Sequence, residues 1–203
     1  MFFEESFPFS KTKDSLEGFQ MQFKERFRIP SEVRGDVWAV LKHSDGSEER
    51  IDIGKNLVIA DASIMVARIL KDKNEITWGL KYLAVGTGDP TWPVNPPAPT
   101  GSEHGLVAEL ERKTFSSTNF IDPTTGAVTT TPTNIVDYVT IFDQNEAVGG
   151  LKEMGLVGAD AIATPVAFAN GGKNTDTFFN IRRFPVINKP ATSVCTFTWR
   201  ITT

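Results

Sequence analysis

The chain has 203 residues, 40% of them hydrophobic and 23% charged, which suits one domain of ordinary size with a real core and a soluble surface. A net charge of -4, with the basic residues scattered and Arg182-Arg183 their densest pair, excludes the basic stripe of a nucleic-acid binder. A single cysteine, Cys195, excludes an intrachain disulfide and a cysteine-built metal site, and no apolar run approaches the roughly 20 residues of a membrane span.

Residues 1–35 read as an aromatic N-terminal arm. Met1-Phe2-Phe3-Glu4-Glu5 has neither the basic region nor the long apolar stretch of a signal peptide. Leu16, Phe19, Phe23 and Phe27 fit one helical face, while Phe19, Met21 and Phe23 fit one strand face, and both readings stand. A terminal segment with many phenylalanines in polar surroundings builds no core of its own. It is expected to pack on the main domain or on a neighbouring subunit, with Phe2, Phe3, Phe7 and Phe9 as interface candidates.

The main domain is expected over residues 36–203. Asp36 to Lys42 reads as a strand, Ser44-Asp45-Gly46-Ser47 as a tight turn and Glu49 to Ile53 as the return strand of a hairpin. Ala62, Met65, Val66, Ile69 and Leu70 recur at helical spacing after Asp61, a suitable N-cap, so one short helix is predicted near 61–70. Leu80 to Val85 is a strand leading into Gly86-Thr87-Gly88. The loop from Pro90 to about Gly101 carries Trp92 and several prolines, which fix the backbone and remove donors, so it is an extended excursion. Leu106 to Lys113 fits a helical turn or a strand.

Further strands are predicted at Asn119 to Ile121, Ile135 to Phe142, Glu153 to Val157, Phe178 to Phe184 and Ser193 to Ile201, with a Gly-Asn loop over Ala169–Thr175. Short strands punctuated by Gly, Pro, Asp and Asn, with one helix, give a mainly β fold: an antiparallel β-sandwich with an extended N-terminal arm. Cys195 alternates with Phe197 and Trp199 and is expected to be a buried strand residue. Trp38, Trp78 and Trp199 are expected in the core, whereas Trp92 suits an interface anchor or carbohydrate contact as well as simple packing onto its own domain.

Chemistry-bearing patterns are sparse. His43 and His104, the only histidines, lack metal-ligand spacing, and no Gly-x-Ser-x-Gly elbow supports a nucleophilic triad. Gly86-Thr87-Gly88 lacks the third glycine of a dinucleotide fingerprint and the Gly-Lys-Ser/Thr of a phosphate loop, and reads as a turn. Glu109, Glu111, Asp137, Asp143, Glu146 and Glu153 could supply a glycosidase pair in principle, but no pair stands out, and a solvated acidic face is the expectation. No catalytic residue, metal or cofactor is assigned.

Seven elements occur in a recognisable order: Asp45-Gly46, Lys55-Asn56-Leu57-Val58, Ala84-Val85-Gly86-Thr87-Gly88, Leu106 to Arg112, Glu153-Met154-Gly155-Leu156, Phe184 to Pro190, and Phe197-Thr198-Trp199-Arg200-Ile201. In this outline, from about residue 36 to 203, the chain resembles structural proteins of tailed bacteriophages, both small tail and neck proteins and tail-fibre attachment domains. It departs from them at Val157-Gly158, where Phe-Asn or Phe-Asp is common, and in a longer insertion from Ala159 to Phe178. The resemblance implies a non-enzymatic virion component of the tail, neck or collar, baseplate or fibre adaptor, assembled in the host bacterial cytoplasm. Its partners would be other virion proteins and copies of itself in a homo-oligomer, with no nucleic acid and no membrane. A carbohydrate- or receptor-binding β-sandwich, with Trp92 and Ala169–Thr175 as contacts, and a capsid decoration protein are the alternatives.

Overall fold

The computed structural model describes residues 34–59, 62, 66–67, 79–158 and 177–203, all within the second of the two units into which the chain divides, Val33–Thr203. Phe2, Phe3, Phe7, Phe9, Trp78, the Ala169–Thr175 loop and most of the helix predicted near 61–70 lie outside the described residues. Ala62, Val66 and Ala67 of that helix are helical.

The described chain forms eleven strands: β1 (Arg34–Lys42), β2 (Glu48–Lys55), β3 (Leu57–Val58), β4 (Leu80–Gly86), β5 (Glu109–Thr114), β6 (Ser117–Ile121), β7 (Val128–Thr129), β8 (Ile135–Phe142), β9 (Gly149–Gly158), β10 (Thr177–Lys189) and β11 (Val194–Thr202). They assemble into a six-stranded sheet, β2-β1-β11-β8-β6-β7, and a five-stranded sheet, β3-β10-β9-β4-β5. Every pairing is antiparallel. The fold is a mainly β, two-sheet antiparallel sandwich.

Local chemistry sets the turns. In the β1–β2 hairpin the Ser47 N–H and hydroxyl donate to Asp45 Oδ1 at 2.8 and 2.6 Å, and Gly46 takes φ +86°, a backbone region that a side chain disfavours. Asp122 plays the same part between β6 and β7, accepting from the N–H groups of Thr124 and Thr125. The Leu106–Lys113 segment, open between helix and strand on pattern alone, is strand from Glu109 onward. β10 runs past Phe184 to Lys189 in spite of Pro185. Its register against β9 shifts between Arg183 and Ile187, and an irregularity of that kind accommodates a residue without an N–H.

Period-two alternation builds the main core. Val37, Ala39 and Leu41 of β1, Phe142 of β8 and Cys195, Phe197, Trp199 and Ile201 of β11 meet Leu83 and Val85 of β4, Leu151, Met154 and Leu156 of β9, and Phe184 and Ile187 of β10. Cys195 is wholly buried there, and burial pushes its thiol up to about 12. A second cluster joins Tyr82 and Ala84 of β4, Val157 of β9 and Phe178 and Ile181 of β10 to Ile59 and Leu106. The β4 and β9 residues of this cluster alternate with those facing the main core, so the inner strands of the five-stranded sheet are buried on both faces.

Trp38 differs from its expected place in the core. It alternates with buried Val37 and Ala39, which puts it half-buried on the outer face of the six-stranded sheet. There the guanidinium of Arg50 lies 5.1 Å and that of Arg200 5.5 Å from its ring centroid.

Candidate functional site

The best-built polar region lies where β4 ends in Gly86-Thr87-Gly88 and the proline loop begins. Glu153 of β9 is completely buried beneath it. The Val107 N–H donates to its Oε2 at 3.0 Å and the Ala108 N–H to its Oε1 at 2.8 Å. Burial nevertheless raises its pKa, against these donors, the Gly88 N–H and the nearby Arg183. A Cβ at Gly86 would fall 2.5 Å from the Ala108 carbonyl oxygen and 2.7 Å from Glu153 Oε1. The first glycine therefore serves close approach of backbone and carboxylate, and no ligand need be invoked for it.

Arg183 of β10 pins the loop from the other side. Its Nη1 donates to the Pro97 carbonyl at 3.3 Å, its Nη2 to Glu103 Oε1 at 3.4 Å, and its guanidinium carbon lies 4.7 Å from the Trp92 ring centroid. The Glu103 carboxylate accepts from the N–H groups of Thr100 and Gly101 at 2.8 Å each. Burial works to raise the Glu103 pKa, but these donors and Arg183 together hold it below the usual range. Trp92 is half-buried, with its six-membered ring against the position that a side chain at Gly88, φ +65°, would occupy. The structure thus places this interface candidate on its own domain, between Gly88 and Arg183.

The six acidic residues do not form a solvated face. Glu109 and Arg112 make a completely buried, two-pronged ion pair. Glu111 accepts from the Ala147 N–H. Asp137 takes both prongs of Arg200 at 2.7 and 2.8 Å, and Asp143 and Glu146 share Lys113 Nζ at 3.1 and 2.5 Å. Glu109 braces its own strand, while the other five, Glu153 included, each tie a strand, turn or loop to another. His43 lies 3.9 Å from Glu49 at the hairpin tip, and His104 is exposed in the loop. Among the described residues no group of three or more His, Cys, Asp or Glu could hold a metal ion, and no helix is long and apolar enough to cross a membrane.

Two residues stand out that pattern reading overlooked. In the sequence Arg183 shows only as half of a basic pair. Lys189 is 1% exposed, and its ammonium donates to the carbonyls of Asp143 and Ser193 at 2.8 Å each. A signal for Lys189 existed: it shares parity with buried Ile187, so alternation itself turns it inward.

Two open features remain. A groove of about 330 Å³ is lined by Leu80, Asn134, Val136, Tyr138, Phe179 and Ile201 among others, and burial raises the Tyr138 pKa beside it. Leu110, Val148 and Val186 are 38%, 43% and 40% exposed beside the Gly149–Gly150 pair, with Leu110 in reach of Gly149 and Val186 of Gly150. No family model matches the chain, and neither does any curated protein.

Proposed function

We propose that the chain is a structural component of a tailed-phage virion, in the tail, neck or collar, baseplate or fibre adaptor, and that it acts by subunit contacts and not by catalysis. One observation carries this reading. The polar groups with chemical potential, from Glu103 and Glu153 to Lys189, are engaged in holding loops and turns to the sheets, while aliphatic side chains at Leu110, Val148 and Val186 stay exposed. A rigid block with exposed apolar side chains suits contact with neighbours. The ordered motifs from Asp45-Gly46 to Trp199-Arg200-Ile201 support the phage reading, and a Phe-rich arm over residues 1–35 suits docking on an adjacent copy.

The edge strands are compatible with such a block. β2, at one end of the six-stranded sheet, is Glu-Glu-Arg-Ile-Asp-Ile-Gly-Lys, and β5, at one end of the five-stranded sheet, is Glu-Leu-Glu-Arg-Lys-Thr. Charges of this density discourage edge-to-edge polymerisation, which leaves side-chain contacts and the arm to fix neighbours.

The mass of the purified protein in solution, followed by negative-stain images, tests the reading. Rings or a discrete homo-oligomer are expected. A monomer that captures sugars on a glycan screen would overturn it in favour of a carbohydrate- or receptor-binding module. Trp92 offers that alternative little, because Arg183 and Gly88 already flank its ring.

A further inference from the structure

The turn between β8 and β9 is bent against its own preference. Asn145 and Ala147 take φ values of 65° and 46°, in the left-handed region that asparagine tolerates but that alanine, with its Cβ and no local polar group, disfavours. Contacts from three other parts of the fold hold it there. The Lys113 ammonium of β5 reaches Glu146 Oε2 at 2.5 Å and Asp143 Oδ2 at 3.1 Å. The same Glu146 oxygen accepts from the Asp143 N–H at 2.7 Å, closing the turn on itself. Glu111 of β5 accepts from the Ala147 N–H. From the β10–β11 side, Lys189 donates to the Asp143 carbonyl at 2.8 Å, and the Asn145 N–H donates to the Ala191 carbonyl at 2.9 Å.

Glu146 is the keystone, since one of its oxygens serves both the cation and the turn's own backbone. We propose that the segment 143–148 is an acid-released latch: when Glu146 gains a proton, the turn leaves its left-handed conformation and this end of the sandwich opens while both sheets stay paired. The charged groups around Glu146 are Lys113 and Glu111 of β5, Asp143 of the turn and Lys189 of β10. Its bond to Lys113, helped by the Asp143 N–H, holds its pKa below the ordinary 4.5 against some burial. The folded turn therefore favours the ionised form. Its contribution to holding the turn is complete above 4.5 and is lost as pH falls through the lower folded value. On opening, the backbone strain is relieved and Val148, already 43% exposed, becomes more accessible.

Amide hydrogen exchange by NMR on the full chain, corrected for intrinsic rates, tests the latch. Glu146→Gln at neutral pH should lower the protection of the Asn145 and Ala147 amides by about tenfold or more, leaving the Phe197 amide of β11 unchanged. Wild type should reach the same pattern as pH falls through the lowered folded value of Glu146, and Glu146→Gln should then change little further. Lys113→Met, which removes the cation instead, should reproduce the loss at neutral pH. Asp137→Asn, which breaks the ion pair with Arg200 on the other sheet, should leave the turn protected. Unchanged turn protection in Glu146→Gln overturns the proposal, and so does loss of Phe197 protection in step with the turn.

Discussion

The six-stranded sheet buries one face, whereas the five-stranded sheet is buried on both faces along its inner strands β4 and β9, and their sequences differ accordingly. β1 and β11 alternate strictly, with Val37, Ala39 and Leu41 or Cys195, Phe197 and Trp199 inward and Trp38, Thr196 and Arg200 outward. β4 and β9 run Leu-Lys-Tyr-Leu-Ala-Val-Gly and Gly-Gly-Leu-Lys-Glu-Met-Gly-Leu-Val-Gly, largely buried along their length. A sheet with water on one side needs only an apolar stripe. One covered on both sides must also satisfy whatever polar groups the cover brings, and here Glu153 and Arg183 do so.

The sharpest way to break this comparison is to remove an aromatic from the outer cluster of the five-stranded sheet. Phe178 is fully buried, and its ring lies where a side chain at Gly155 would stand. If that face is a true second core, Phe178→Ala should cost about 3–5 kcal/mol in urea unfolding. A loss below about 1 kcal/mol, the scale of surface substitutions, would mean that the cover contributes little and the sheet is functionally one-sided.

Glu153 gives the next effect. Glu153→Ala leaves the Val107 and Ala108 N–H groups without their acceptor and should cost about 2–4 kcal/mol. Glu153→Gln keeps one acceptor and should cost less. The sign of the pH dependence is also fixed. Burial raises the Glu153 pKa above its ordinary 4.5, so the folded protein binds this proton more tightly than the unfolded chain. Its contribution is greatest below 4.5 and declines as pH rises through the folded value. Stability of Glu153→Gln measured from pH 4.5 upward should fall less than that of wild type. An identical profile would assign the slope to other groups.

The same contrast explains what the sequence made legible. Strict alternation placed β1, β8 and β11, and Asp45-Gly46 placed the hairpin, because period and turn chemistry are local. At Trp38 two local signals conflict: aromaticity favours the core, but parity, with Val37 and Ala39 on the other face, puts its side chain outward. Glu153, Arg183 and Glu103 were not legible as a unit. They lie far apart in sequence, and only the approach of the proline loop to β9 and β10 brings them together. An acidic residue in an apolar strand carries no mark of whether backbone amides or water will meet it. The same holds for Asp137, whose cation comes from Arg200 by the register of β8 against β11.

The smallest effect is expected at Trp38, on the one-sided sheet. Its ring is half-buried and flanked by Arg50 and Arg200, and Arg200 keeps its pairing with Asp137 when the ring is gone. At roughly 0.5–1 kcal/mol for each exposed cation–ring contact, Trp38→Ala should cost about 1–2 kcal/mol, well short of Phe178→Ala. Unfolding measured at two protein concentrations sharpens the point. A small, concentration-independent loss fits a face open to water. A loss as large as that of Phe178→Ala, appearing only at the higher concentration, would mean that another copy of the chain covers this face in solution. Linkage between folding and association produces that dependence. The six-stranded sheet would then be two-sided as well, with its second side supplied by assembly instead of by its own loops.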